Sequence, residues 1–82
     1  MNELSDVQLI LACLRARTKR MEARTDLANA LFELRRAGVT SVRFDDPRVA
    51  PLFDAVSDAD RAVSVFANEI RRRRLARKER VR

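Results

Sequence analysis

Histidine, tyrosine and tryptophan are absent from this chain of 82 residues, which has one glycine, two prolines and one cysteine. Each gap removes a class of chemistry. Without histidine the usual general base at neutral pH is missing. Without a glycine-rich loop there is neither a dinucleotide fingerprint nor a phosphate-binding loop. The lone thiol, Cys13, has no second cysteine to bridge to and no imidazole to activate it. Among Leu9, Ile10, Leu11, Ala12 and Leu14 it reads as a reduced core residue. The acidic residues Asp45, Asp46, Asp54, Asp58 and Asp60 lack the loop order and central glycine of a calcium site, and two of them sit where helix caps belong. These residues therefore point away from an enzyme, and no cofactor, metal or small-molecule substrate is expected.

Long hydrophobic runs are missing as well. The longest, Leu9 to Leu14, is six residues, far short of the roughly 20 that span a bilayer, and no cationic region heads a signal sequence. A soluble cytoplasmic protein, nucleoid- or virion-associated, is the expectation, with no membrane partner. A domain this small buries only about 60 to 65 per cent of the surface its unfolded chain exposes, so a partner chain or a staple is usual, and here no covalent staple exists.

What the chain does have is arginine, sixteen against two lysines, for a net charge of +6. Such usage suits GC-rich coding and points to a bacterial or phage source. The charge is segregated: Ile70 to Arg82 holds eight cationic side chains and one anionic. Four consecutive arginines wrap completely around a helix and cannot share one solvated face, so Arg71, Arg72, Arg73, Arg74, Arg77, Lys78 and Arg80 are candidate phosphate contacts. Guanidinium suits that role because its planar fork grips phosphate bidentately. A second basic cluster, including Arg15, Lys19 and Arg20, is the other nucleic-acid candidate.

Punctuation is confined to the middle of the chain. Ser5 reads as an N-cap with Asp6 in the first turn, and Gly38 reads as the residue ending the helical half. Within that half Val7, Ile10, Leu11 and Leu14 form one stripe, and Leu27, Leu31 and Leu34 form another about 150 degrees away. One flat surface cannot cover both, which favours a kink or break between Thr18 and Thr25 over one long helix with two partners. Val39 to Phe44 is β-prone and reads as a short extended segment. Asp46 before Pro47 reads as the cap of a short helix. Ser57 to Asp60 has capping-box spacing and opens a final helix with an apolar seam of Ala59, Val63, Phe66 and Ile70.

The expected fold is all-α, or nearly so. It has two N-terminal helices or one kinked long helix, a short extended segment over 39–44, a short helix, and a long C-terminal helix ending in a basic arm. The expected organisation is one helical domain over 1–70 and an arm over 71–82. The wide apolar arc that includes Val7, Ile10, Leu11 and Leu14 exceeds what one facing helix covers, and marks a homodimer interface.

Within this frame, residues Ser41 to Ile70, about a third of the chain, resemble a ribbon-helix-helix DNA-binding unit. The resemblance rests on a short strand Ser41-Val42-Arg43-Phe44, a helix with Val49, Leu52 and Val56, and a helix with Ser64, Phe66 and Ile70. It implies that two strands pair across a dimer in the major groove, with Ser41, Arg43 and Asp45 toward base edges. The broader functional expectation is a small basic nucleic-acid-binding accessory or regulatory protein whose arginine arm contacts phosphates. The rival is a helical assembly or adaptor module whose arm binds an acidic partner surface.

Overall fold

The computed structural model describes residues 4–80, with side chains through Lys78. The described residues form two helices of 31 residues each, α1 (Asp6–Arg36) and α2 (Ala50–Arg80), joined by an irregular connection. They lie antiparallel, because Asp6 at the start of α1 meets Arg73 and Arg77 near the end of α2, and Arg24 meets Asp60 midway. The resulting rod measures 61 × 21 × 20 Å.

Local chemistry sets the helix ends. The Ser5 hydroxyl accepts from the Gln8 amide at 3.1 Å while the Gln8 side chain accepts from the Ser5 amide at 2.9 Å, a complete capping box. At the other end Ala37 is the C-cap and Gly38 follows at φ +90. The Val39 amide donates to the Leu34 carbonyl and the Gly38 amide to that of Arg35, the reciprocal pair of a Schellman motif. Only glycine adopts that φ without strain, so Gly38 is where α1 stops.

Between those caps α1 is unbroken, and the expected kink between Thr18 and Thr25 is absent. The reason is the spacing of the residues that face α2. Asp6, Leu9, Cys13, Ala16, Arg20, Ala23, Leu27, Ala30 and Leu34 recur at alternating intervals of three and four, which keeps one continuous stripe on the same side. Leu9, Cys13 and Ala16 on this stripe are buried.

Residues 39–44 form no strand. They pass as an irregular link, with the ring of Phe44 edge-on to that of Phe53 at 5.0 Å. Asp46 does act as a cap: its carboxylate accepts from the Arg48 amide at 2.9 Å, and its carbonyl accepts from Val49 and Ala50. The separate short helix does not exist, since the turn begun at Pro47 runs directly into α2 and Ser57 to Asp60 lie inside it. Val49, Leu52, Val56, Ala59, Val63, Phe66 and Ile70 continue at intervals of three and four straight through that stretch. An exposed serine with the right local spacing does not break a helix whose buried seam is continuous. With no strand at 41–44 and one helix over 50–80, the ribbon-helix-helix arrangement is absent.

Candidate nucleic-acid interface

The α2 seam sets the orientation of the basic run. Three and then four residues after Ile70 come Arg73 and Arg77, so these two arginines occupy seam positions and point at α1. There Arg73 Nη1 donates to Asp6 Oδ1 and Arg77 Nη2 to Asp6 Oδ2, each at 2.9 Å. The core therefore ends in an ionic clasp between the first turn of α1 and the last turns of α2. Arg73 is further held by Glu69, its Nε donating to Oε1 at 3.0 Å, and Arg72 Nε donates to Oε2 of the same carboxylate at 2.9 Å.

These contacts show in the acidities. The Asp6 carboxyl is lowered, first by the hydrogen bond from Arg73, and Glu69 is held down to about 2 by hydrogen bonds from Arg72 and Arg73. Asp6 and Glu69 raise the Arg73 pKa in return. The pairs are solvent-exposed, so they fix register more than they add stability.

Arg71, Arg74 and Lys78 are different. They fall within a 60-degree sector of α2 by helical geometry of about 100 degrees per residue, and with Ala67, Ile70 and Leu75 they line a shallow surface groove. Among the described residues none of the three has a carboxylate within ion-pair reach. Three cations are thus displayed in a row of some 10 Å, at about 1.5 Å rise per residue, on a helix anchored by its neighbours.

The other candidate residues divide among several places. Asp60 lies on the same α2 stripe as Arg71 and Lys78. It takes Arg24 Nη2 at 3.1 Å and Arg20 Nε at 4.0 Å, so Arg20 shares the side of the free stripe with its charge partly matched. Arg15 and Lys19 are on the opposite side, at the rim of an alanine-lined groove that also has Glu22, Asp26 and Asp58. Arg72, Arg73 and Arg77 are engaged within the chain, and the Arg80 side chain lies outside the described residues. The candidate set is therefore not a single site, and its coherent part is Arg71, Arg74 and Lys78.

The clasp escaped sequence reasoning because Asp6 is 67 and 71 residues from its partners. Only the continuation of the seam spacing into Arg73 and Arg77 could have signalled it. The interface candidates Val7, Ile10, Leu11 and Leu14 are 67%, 48%, 47% and 50% exposed in the single chain.

No family model, curated protein or solved structure matches this chain. Among the described residues no helix is long and apolar enough to cross a membrane.

Proposed function

We propose that this is a non-enzymatic nucleic-acid-binding accessory or regulatory protein, of bacterial or phage type and cytoplasmic, whose helical hairpin presents Arg71, Arg74 and Lys78 to phosphates. One observation supports this reading above the others. Within a run of cations where Arg72, Arg73 and Arg77 are satisfied by the chain's own carboxylates, three others on one face have no such partner among the described residues. Phosphate contacts of this kind position a protein without reading sequence. A labelled duplex and a labelled single-stranded RNA, titrated by fluorescence anisotropy at low and moderate salt, test the proposal. Binding that weakens with salt and is lost in Arg71→Gln/Arg74→Gln/Lys78→Gln supports it, and absence of binding to both at low salt overturns it.

The exposed apolar residues favour a second reading, a helical assembly or adaptor module whose basic stripe meets an acidic protein surface. Steep salt dependence on nucleic acid separates the two, because docking through an apolar helix face responds weakly to salt.

A further inference from the structure

The face of α1 turned away from α2 has its own regularity. Val7, Leu11, Leu14, Thr18, Met21, Thr25, Ala28 and Phe32 recur at alternating intervals of four and three, and none is charged, although α1 is rich in arginine, glutamate and aspartate. All eight are exposed, with Val7 at 67%, Met21 at 70% and Phe32 at 61%. Of the two hydroxyls in the row, that of Thr18 donates to the Leu14 carbonyl at 3.1 Å. This is the spacing of a coiled-coil seam, on the side opposite the seam that α2 occupies.

The exposed surface leaves room for a second chain. The chain exposes 7093 Å², whereas a compact monomer of 9.4 kDa exposes about 5,000 Å². The excess, about 2,000 Å², exceeds the roughly 800 Å² that each partner buries in a standard interface.

We propose that this face seats the same face of a second copy, antiparallel, giving a four-helix dimer held by the eight-residue row. Side-chain sizes and charges select the antiparallel sense. With Thr18 opposite Met21 of the second copy, Leu14 faces Thr25, Leu11 faces Ala28 and Val7 faces Phe32, so bulky side chains meet smaller ones in every layer. Arg15 flanks Glu22 of the second copy in two symmetric pairs, and Ile10 flanks Leu31. The unfavourable approach, Arg17 to Arg24, is eased because Arg24 is already bound to Asp60 at 3.1 Å. Parallel pairing instead stacks Phe32 on Phe32 and Ala28 on Ala28. Pairing through this row does not depend on nucleic-acid binding.

Sedimentation equilibrium of the intact protein gives the first test, with a dimer expected. Replacing Leu14 and Met21 by glutamine, a good helix former, leaves the hairpin seam untouched. Four unpaired amides then enter the interface, and the dimer dissociation constant rises at least about 100-fold with helical content retained at high protein concentration. Cross-linking in a Cys13→Ala background fixes the sense: mixed Leu11→Cys and Ala28→Cys chains form an interchain disulfide, and Ala28→Cys alone does not. A monomer at tens of micromolar, an oligomer larger than two, a dimer indifferent to the glutamines, or efficient cross-linking of Ala28→Cys alone would each overturn the proposal.

Discussion

The division of the arginine run into clasped and free cations makes a sharp prediction about salt. Each phosphate neutralised on a duplex adds about 0.9 to the slope of log affinity against log salt. Arg71, Arg74 and Lys78 together therefore supply about 2.7 per chain, which over a fourfold rise in salt is about 40-fold in affinity. Replacing all three by glutamine removes that increment, whereas Arg73→Gln/Arg77→Gln removes only side chains that are committed to Asp6 at 2.9 Å. Anisotropy titrations of a labelled duplex at four or five salt concentrations give the slopes directly. The triple variant is expected to be flattened by about 2.7 per bound chain, and the double variant to keep the parent slope. Equal losses in the two variants would show that charge density and not position governs binding, and would refute the assignment of the free stripe.

Other consequences concern the fold. Gly38→Ala places a side chain at φ +90, where its Cβ meets nothing within 4 Å. The cost is conformational alone, and denaturant titration should show about 1 to 2 kcal/mol lost. Val49, fully buried at the entry to α2, loses two methyls' worth of burial on change to alanine, and about 2 kcal/mol is expected by the same assay. Acid should act through Glu69 and Asp46, both held down to about 2 from ordinary values of 4.5 and 3.8 by Arg72 and Arg48 respectively. A carboxyl depressed in the folded state stabilises above its unfolded pKa, so their contribution is complete above about pH 5 and fades as the pH falls toward 2. Thermal melts at pH 6, 4 and 2.5 should therefore fall in that order, with Glu69→Gln flattening the decline.

The ends of the elements were more legible in the sequence than their continuity. Ser5 and Gly38 have local chemistry that admits few alternatives, and each is at the boundary it implies, while Asp46 caps a turn over 47–49 that leads into α2 at Ala50. Continuity depends on what a helix packs against. The stripes of Val7 to Leu14 and of Leu27 to Leu34 look incompatible only if a helix has one partner surface. In α1 they belong to opposite faces, the second of them covered by α2. The free and clasped arginines are indistinguishable in the sequence, because four consecutive arginines look alike until α1 supplies Asp6 on one side.

The two seams of α1 connect the proposed dimer to the basic stripe. In an antiparallel pair the twofold axis is perpendicular to the plane of the two α1 helices, so the side of the hairpin bearing Arg71, Arg74 and Lys78 faces the same way in both copies. The stripes lie near opposite ends of α1, about 37 Å apart along the helix axis at about 1.5 Å per residue, and are offset sideways by the paired α1 helices. A parallel pair would turn the stripes to opposite faces, where one duplex could not meet both. The intact protein should thus bind a duplex with both stripes and a slope near −5.4, and Leu14→Gln/Met21→Gln, dissociated at working concentration, with a slope near −2.7. The substitutions change no charge, so a halved slope arises only from losing the second copy's phosphate contacts. An unchanged slope in a variant shown to be monomeric would separate the dimer from nucleic-acid binding and return the basic stripe to acting one chain at a time.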